Sequence, residues 1–413
     1  MWARTQLKID WPDLAAGAGA CLFAGRADAN RAQLESYWSS KADCITAYSV
    51  RSGFDLLLQA LKLEEGDEVI FSALNVKGMI NIARREGYTP VPVDLDVAHM
   101  APSVERLKRA ITNRSRVLVV AHLFGTHIDL DPIFEVARAH NLFIVEDCAQ
   151  AFDGKAYGGH QGADVSMFSF GPLKTSTALG GALIRVHDDA LRARMRDLQA
   201  EYPAQTNRDQ LVRVLKFAAL KTLTSRTVLQ LIYRFFAARG KDYETSLSNS
   251  VRNVAKLGSA KRLRFRPSEG LLALMARRIS GFKPGDLSLR AEKGRRLRDL
   301  IGDAVVLPGQ ASDHHDYWVF PMLVDKPDEF VRRLKAAGFD SSDLPRSQAV
   351  AAPEGREDLA PTIAAQALQD MIVVPCYPGM SDAELEREAA LIKDIARDVG
   401  TERTRQYASV KPE

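Results

Sequence analysis

The segment LFIVEDCAQAF, residues 142–152, decides the fold that this sequence predicts. Its first four residues are apolar and predict a buried β-strand, which ends in two neighbouring carboxylates, Glu146 and Asp147. A buried strand ends in charges only where a partner or a bound group needs them, because an unpaired buried charge is costly. Ligands of parallel sheets bind beyond the carboxyl ends of the strands, so Asp147 is predicted to hold a ligand.

Short apolar runs alternate with amphipathic helical patterns on the N-terminal side of this segment. The run CITAYSV, residues 44–50, precedes a pattern with apolar residues at helical spacing (Phe54, Leu57, Leu58 and Leu61). The runs DEVIFSAL, TPVPVDLD and RVLVVAHLFG each precede a predicted helix, and DVSMFSF and GGALIRV add later strands of the same sheet. This alternation predicts an α/β fold, with a mainly parallel sheet covered by helices on both faces.

The chain divides into four predicted parts. These are an N-terminal arm (1–43), a large domain that holds the ligand (44–205 and 262–288), a helical insertion (206–261) and a smaller C-terminal α/β domain (289–413). The insertion contains two predicted helices joined at Thr224-Ser225, and no acidic residue occurs from Gln210 to Lys241. Two interpretations stay open. The helices pack on the body or on a second subunit, or residues 209–241 form a basic amphipathic surface that touches an anionic membrane.

Composition and charge fit a globular enzyme of two or three domains. The 413 residues are 46% hydrophobic and 26% charged, and the net charge of +4 is too small to suggest nucleic-acid binding. The four cysteines form no CxxC pair, which argues against a zinc site and against a disulfide framework. The N-terminal residues lack the apolar core of a signal peptide and no spanning segment is found, so the cytoplasm is the expected location.

Lys174 follows the strand after Asp147, in a glycine-proline turn among small hydroxyl residues. Taken alone, such a lysine is more often a solvated loop residue than a nucleophile. Pyridoxal phosphate, however, requires a lysine for its Schiff base and a carboxylate at its ring nitrogen, and two neighbouring strand ends provide both groups. The segment SVRSG, residues 49–53, opens a helix whose dipole and N–H groups suit a phosphate, although a plain N-cap by Ser52 would explain the same residues.

Longer motifs resemble the DegT/DnrJ/EryC1/StrS family of pyridoxal-phosphate-dependent sugar aminotransferases, which have fold type I. The resemblance lies in HLFGTHIDLDPIFEVARAHNLFIVEDCAQAFDG (122–154) and FSFGPLKTSTALGGALI (168–184), and it resumes at RFRPSEGLLAL (264–274) and VVPCYPGMSDAELE (373–386). It implies a seven-stranded type of sheet and pyridoxal 5'-phosphate as the cofactor. It also implies a homodimer in which the RFRPSEG segment of one subunit completes the phosphate site of the other.

The resemblance further implies roles for individual residues. Lys174 carries the cofactor as a Schiff base and moves the substrate proton, and Asp147 pairs with the ring nitrogen. Gln150 lies near the phenolic oxygen of the ring, and Ser169 and Ser52 hold the phosphate.

The sequence departs from the family pattern in three ways. Val76 stands where the family usually stacks an aromatic ring on the cofactor, Val50-Arg51 replace a small Gly-Thr pair, and Arg264 replaces an asparagine. A valine can cover the ring but loses an aromatic contribution of about 0.5–1.5 kcal/mol. Arg51 and Arg264 are still expected at the cofactor, because a guanidinium binds phosphate through charge-assisted hydrogen bonds.

The expected activity is transfer of an amino group from glutamate or glutamine to a keto group on a sugar. For this family the sugar is usually nucleotide-linked, and the product enters cell-surface glycans or secondary metabolites. Two alternatives stay open: a lipid-linked or amphiphilic acceptor met at the membrane surface, and a cofactor-binding family member without catalysis. No metal site is expected. His122 and His127 lie on a strand and its loop, and the segment 314–316 is predicted to be a surface turn.

Overall fold

The computed structural model describes residues 1–23, 25–223, 225, 227–228, 230–231, 263–343 and 347–409. Up to residue 280 its regular elements are α1 (Trp11–Leu22), α2 (Ala27–Glu35), β1 (Cys44–Ala47), α3 (Val50–Leu61), β2 (Glu68–Ser72), β3 (Leu74–Val76), α4 (Lys77–Arg85), β4 (Thr89–Val93), β5 (Leu95–Asp96), β6 (Ala101–Pro102), α5 (Val104–Ala110), β7 (Ser115–Ala121), β8 (Thr126–His127), α6 (Asp131–Ala139), β9 (Phe143–Asp147), β10 (Val165–Ser169), β11 (Ala182–Val186), α7 (Asp189–Ala200), α8 (Asn207–Leu223) and α9 (Glu269–Ser280).

The C-terminal part is smaller and also mixes helices with strands. Its elements are α10 (Pro284–Ile301), β12 (His314–His315), β13 (Phe320–Leu323), α11 (Pro327–Ala336), β14 (Ser347–Ala349), α12 (Thr362–Asp370), β15 (Met371–Val374), α13 (Asp382–Val399) and α14 (Glu402–Ser409). Ser381 and Glu384 form a capping box that fixes the start of α13.

A seven-stranded sheet forms the centre of the larger part, in the strand order β1-β11-β10-β9-β7-β2-β4. Strand β11 is antiparallel to both of its neighbours, and every other adjacent pair is parallel. The sheet confirms the prediction of an α/β fold with a mainly parallel, seven-stranded sheet. Because these parallel strands end at one edge, the residues that follow them are brought close together there.

The two faces of the sheet are covered by different helices. Val69 and Phe71 of β2 point into a core shared with α3, α4 and α7, whereas Ile70 between them points into a core shared with α5 and α6. This alternation follows from the two-residue period of a strand, and burying a side chain such as Phe71 contributes roughly 1.5–3 kcal/mol. Burial on both faces explains why the strands are continuously apolar in sequence.

The N-terminal residues pack on both parts of the protein. Asp13 of α1 accepts hydrogen bonds from Arg277 Nε at 2.7 Å and from Arg278 Nη1 at 2.5 Å, both on α9. Trp2 packs in the core of the C-terminal part, where its indole N–H donates to Glu384 Oε1 at 3.0 Å. The first 43 residues are therefore held by several contacts, and the predicted domain boundaries stay a proposal.

The predicted insertion is described only in its first half. Its first helix is confirmed as α8, which packs on α1 and α9. The second predicted helix, to residue 241, falls mainly outside the described residues, as do most residues up to 262.

Two short strand pairs join the C-terminal part to the central sheet's carboxyl edge. Strand β14 pairs with β3, so that Ser347 lies opposite Val76, and β12 pairs with β8, so that His314 lies opposite His127. These pairs place the loops of the C-terminal part beside the strand ends that carry the predicted site residues.

Candidate active site

The two central site residues follow neighbouring parallel strands. Asp147 is the last residue of β9 and lies opposite Met167 of β10. Strand β10 ends at Ser169, and a turn closed by the Lys174 N–H, which donates to the Gly171 carbonyl at 3.0 Å, carries the chain onward. The sequence pattern correctly predicted both the strand adjacency and this turn.

Asp147 and Lys174 are close enough to interact electrostatically. Burial raises the pKa of the Asp147 carboxyl, whereas the Ala149 N–H, which donates to Oδ1 at 2.9 Å, and the charge of Lys174 act in the opposite direction. A buried carboxylate of this kind is poorly solvated and favours a nearby positive charge. The end of β9 can therefore bind a cationic group near the amine of Lys174.

Trp318 covers the amine of Lys174. The ammonium nitrogen lies 4.3 Å from the centroid of the Trp318 ring, and the indole N–H donates to the Leu173 carbonyl at 2.8 Å. This contact was not predicted from the sequence, because it joins two segments more than 140 residues apart. An aromatic residue just before the strand β13 is the only local indication of it.

Helix α3 begins at the same edge of the sheet. Ser49, and not Ser52, is its N-cap: the Ser52 N–H donates to Ser49 Oγ at 3.1 Å, and the two hydroxyl oxygens lie 3.0 Å apart. The alternative of a plain N-cap by Ser52 is therefore wrong. The first turn of α3 contains no acidic residue, so the positive end of its dipole remains available to an anion.

Arg51 and Val76 lie where a second helix begins. A Cβ atom added to Gly78, in the first turn of α4, would lie 2.6 Å from Arg51 Cδ, so the Arg51 side chain runs closely past that turn. Val76 is the N-cap residue of α4 and is 37% exposed. Two helix N-termini without first-turn carboxylates thus flank a guanidinium, an arrangement that suits a phosphate.

Ser169 and Gln150 also lie at this edge. The Gly171 N–H donates to Ser169 Oγ at 3.4 Å, and a Cβ atom at Gly171 would meet that oxygen at 3.6 Å and Lys174 Cγ at 3.9 Å. Gln150 Oε1 accepts the Phe124 N–H at 2.7 Å, which fixes the orientation of its amide. The structure therefore brings Ser169 next to Lys174, and their roles toward a cofactor stay predictions.

Arg264 is engaged within its own chain. Its Nε lies 3.1 Å from Asp55 Oδ2 and its Nη2 lies 2.9 Å from Glu86 Oε1. A phosphate would have to compete with these two carboxylates, so the expected contact of Arg264 with the cofactor stays a prediction.

Glu146 explains why two carboxylates end the strand β9. Its side chain points to the opposite face from Asp147, where it accepts hydrogen bonds from His122 Nε2 at 2.9 Å and Ser166 Oγ at 2.7 Å. Although burial acts in the other direction, these bonds, with one from Tyr157, lower the pKa of Glu146 to about 2. Glu146 is thus a structural anion, while Asp147 faces the site.

The segment 314–316 differs from its prediction. His314 and His315 form strand β12 instead of a surface turn, and Asp316 is buried. His127 Nε2 lies 3.3 Å from Asp316 Oδ2, and His314 Nε2 lies 3.1 Å from Asp316 Oδ1. Burial opposes the change, but hydrogen bonds from the two imidazoles hold the pKa of Asp316 well below its usual value. The expectation of no metal at this cluster stays a prediction.

The residues at the sheet edge fit pyridoxal phosphate. The group needs an amine, a carboxylate for its ring nitrogen and an anion seat for its phosphate. Lys174, the buried Asp147 and the first turn of α3 supply these three groups at one edge of the sheet.

Fold and site together define a class of α/β proteins that carry an amine and a buried carboxylate at one edge of a mainly parallel sheet. The model of the DegT/DnrJ/EryC1/StrS aminotransferase family matches residues 27–246, more than half of the chain. The chain belongs to this family, as its sequence motifs predicted.

Individual relatives match in part. A GDP-perosamine synthase of Escherichia coli O157:H7 is 38% identical over 138 residues, which are 33% of this chain and 38% of that protein. A UDP-N-acetyl-3-dehydro-alpha-D-glucosamine 3-aminotransferase of Acidithiobacillus ferrooxidans is 34% identical over 161 residues, 38% of this chain and 44% of that protein. The matches therefore span about two fifths of the length of these relatives.

The fold extends over nearly the whole chain. The crystal structure of the aminotransferase TlmJ from Streptoalloteichus hindustanus superposes with a TM-score of 0.70 at 19% identity, covering 97% of this chain and 100% of that one. This likeness confirms the predicted fold of fold type I transferases. Within the described part of the chain, no helix is both long and apolar enough to cross a bilayer.

Proposed function

We propose that this chain is a pyridoxal-phosphate-dependent aminotransferase. It moves an amino group from glutamate or glutamine to a keto group on a nucleotide-linked sugar, for cell-surface glycans or secondary metabolites. One observation carries the proposal: β9 ends at the buried Asp147 and the neighbouring parallel strand β10 leads into the turn that holds Lys174, so a carboxylate and an amine lie at one edge of the sheet. The closeness of both groups, in a family of aminotransferases, weighs against the alternative of a member without catalysis.

Each part of the site has a separate task. When bound, pyridoxal phosphate supplies an electron sink for the electrons released at the substrate carbon. Lys174 would take the proton from that carbon and return it to the C4′ carbon of the cofactor. Asp147 holds the positive charge on the ring nitrogen, and Ser52, Arg51 and Ser169 bind the phosphate.

Trp318 covers one side of the reacting amine. Its ring lies over Lys174 Nζ, and its indole N–H is fixed to the Leu173 carbonyl. A cation over an aromatic face is stabilised by about 0.5–2 kcal/mol, more as water is removed. The contact therefore orients the protonated Lys174, which is the form that returns the proton.

The acceptor class is supported by named relatives. One is named GDP-perosamine synthase and another acts, by its name, on a UDP-linked dehydro sugar. A nucleotide-linked keto sugar is the acceptor that we propose for this chain.

Absorbance tests the proposal directly. The purified protein should be yellow, and L-glutamate or L-glutamine should convert the pyridoxal absorption to that of the pyridoxamine form. Addition of a nucleotide-linked keto sugar should restore the first spectrum. Lys174→Ala should abolish both changes, whereas Lys155→Ala, at an exposed position, should leave them intact. An unchanged spectrum with every amino donor would contradict transamination.

A second candidate is an amphiphilic or lipid-linked acceptor met at the membrane surface. It is favoured by exposed apolar side chains on the packed helices α1 and α8 and at the C-cap of α1, namely Trp11, Leu22, Val212, Leu215, Leu223 and the C-cap residue Phe23. Such side chains suit the boundary of a bilayer, and the basic residues of 209–241 suit its anionic lipids. Sedimentation with anionic liposomes tests this; a chain with Leu215→Glu and Leu223→Glu should remain in the supernatant. Equal sedimentation of both forms would remove this candidate.

A homodimer and a cytoplasmic location complete the proposal. The second subunit would contribute the RFRPSEG segment, 264–270, and sedimentation equilibrium measures whether two chains associate. All four cysteines are free and buried, which fits a reducing compartment.

A further inference from the structure

The strands β8 and β12 place two imidazole rings side by side. They pair in antiparallel register, so that His314 lies directly opposite His127, and the centroids of the two rings are 4.5 Å apart. Side chains at opposite positions of two such strands share one face, and that face repeats at every second residue. Asp316, two residues after His314, reaches the same face. The strand pair therefore presents two imidazoles and a carboxylate to one point.

The distances between these three side chains suit a bound metal ion. One ligand atom of each residue lies within 4.8 Å of the other two. His127 Nε2 lies 3.3 Å from Asp316 Oδ2, and His314 Nε2 lies 3.1 Å from Asp316 Oδ1. Both distances exceed the roughly 2.7–2.9 Å of a charge-assisted hydrogen bond. Two atoms that bind one zinc ion at about 2.0–2.1 Å in tetrahedral geometry lie about 3.3 Å apart, which matches this spacing.

The surrounding chain holds the carboxylate of Asp316 in place. Its backbone N–H donates to the Gly125 carbonyl at 2.7 Å. A Cβ atom at Gly125 would lie 2.6 Å from the Trp318 nitrogen, so a glycine is required for this close approach. Arg290 donates its Nε–H to the Asp316 backbone carbonyl at 2.7 Å and its Nη1–H to Thr175 Oγ1 at 3.2 Å. Both carboxylate oxygens of Asp316 are therefore left to face the imidazoles.

The cluster combines a buried carboxylate with access from solvent. The side chain of Asp316 is 2% exposed and that of His127 is 16% exposed, whereas that of His314 is 55% exposed. An ion can therefore enter from the side of His314, where water can complete the ligand set. Burial and the charge of Asp316 raise the pKa of the Asp153 carboxyl. This second carboxylate offsets the positive charge of Arg290, which acts on the same group.

A second group of side chains in the described part of the chain has comparable spacing, namely His122, Glu146 and Cys148. All three residues are buried. Burial raises the pKa of the Cys148 thiol well above its usual value, which disfavours the thiolate that a metal requires. Glu146 also accepts a hydrogen bond from Ser166 Oγ at 2.7 Å. This second group is therefore a closed hydrogen-bond network and a poorer ligand set than the exposed cluster.

We propose that His127, His314 and Asp316 bind a zinc ion, with water as a further ligand. Two imidazoles and one carboxylate form a donor set typical of zinc. The inference departs from the sequence-based expectation of no metal, because that expectation treated the segment around His314 as a surface turn. Strand β8 belongs to the larger part of the protein and β12 to the C-terminal part. The ion would join the two parts and fix the segment that places Trp318 over Lys174.

Metal analysis and calorimetry test the site on the full-length holoenzyme without a histidine tag. The protein is dialysed against a chelator and then titrated with zinc chloride. The wild type should bind one ion per chain. His314→Gln should weaken binding more than about a hundredfold, because loss of even an outer-shell partner of a metal ligand costs about 10–100-fold. His99→Gln is the matched control and should bind like the wild type, because this exposed imidazole also pairs with an aspartate, Asp96, outside the cluster.

Two further measurements separate a metal site from a hydrogen-bonded network. Cobalt(II) should give the visible absorption of a tetrahedral complex with the wild type and not with His314→Gln. Excess zinc should raise the thermal unfolding temperature of the wild type and of His99→Gln, but not of Asp316→Asn, which keeps the size of the side chain and removes a ligand. Absence of stoichiometric binding by the wild type, or equal affinity of the wild type and His314→Gln, would overturn the inference. These readouts do not use turnover, so a failure of the proposed function would appear separately, as an unchanged absorbance spectrum with every amino donor.

Discussion

The ammonium nitrogen of Lys174 lies 4.3 Å from the centroid of the Trp318 ring, so a residue just before a C-terminal strand covers an amine of the central sheet. The indole N–H bonds to the Leu173 carbonyl, which prevents the ring from sliding along the lysine. The amine that performs the proposed chemistry is therefore oriented by both parts of the chain.

Replacing Trp318 should slow the proton transfer at Lys174. We expect Trp318→Leu to lower kcat/KM about two- to thirtyfold, because the loss of a cation–π contact of roughly 0.5–2 kcal/mol frees the amine and admits water. Trp318→Phe keeps an aromatic face and should lose less. Steady-state kinetics with glutamate and a nucleotide-linked keto sugar measures the change, and equal values for wild type and Trp318→Leu would show that the contact has no catalytic role.

Asp147 should lower the stability of the cofactor-free protein as the pH rises. Burial raises its folded-state pKa, so the folded protein binds this proton more tightly than the unfolded chain does. The associated stability is fully present below the unfolded pKa of about 3.9 and is lost as the pH rises through the raised folded pKa. Asp147→Asn imitates the neutral carboxyl. The free energy of unfolding of this variant should therefore exceed that of the wild type by an amount that grows with pH and then levels off.

Urea unfolding between pH 3.5 and 7 measures that difference, with exposed Asp28→Asn as the control. The same Asp147→Asn variant should lose about 10²–10³-fold in kcat when loaded with cofactor, because a preorganised charge is missing. A variant that is less stable than wild type at pH 7, yet active, would refute both the electrostatic argument and the assigned role.

Glu146 should behave in the opposite way, because its pKa is lowered to about 2 by hydrogen bonds from His122, Ser166 and Tyr157. Its contribution to stability is present above the usual glutamate pKa of about 4.3 and is lost as the pH falls toward 2. Glu146→Gln should therefore destabilise the protein by about 1–3 kcal/mol at pH 7, with a smaller difference at pH 3. Chemical unfolding at both pH values checks this, and exposed Glu135→Gln should cost little at either.

Local sequence patterns predicted the central sheet and the positions of Asp147 and Lys174, because each strand and each helix is encoded by a short, contiguous stretch of sequence. The positions of Asp147 and Lys174 at one edge could be predicted, since β9 ends at Asp147 and the turn after β10 holds Lys174, and strand adjacency follows from the βαβ rhythm. The contacts of Trp318 with Leu173 and of Arg290 with Thr175 could not be predicted, because each joins segments more than 100 residues apart. The N-cap was misplaced by three residues, because Ser49 and Ser52 are both good caps and only backbone geometry separates them.

Val76 offers a gain-of-function prediction. It is 37% exposed, and in the family pattern its place holds an aromatic residue over the cofactor ring. Val76→Phe should slow cofactor dissociation about two- to tenfold, equivalent to the aromatic contribution of roughly 0.5–1.5 kcal/mol. Val76→Thr keeps the β-branched shape without a ring and should release the cofactor at the wild-type rate. Release is followed by absorbance while a trapping amine removes free pyridoxal phosphate. If Val76→Phe releases it faster than wild type, Val76 does not face the ring, and the loop after β3 serves another part of the site.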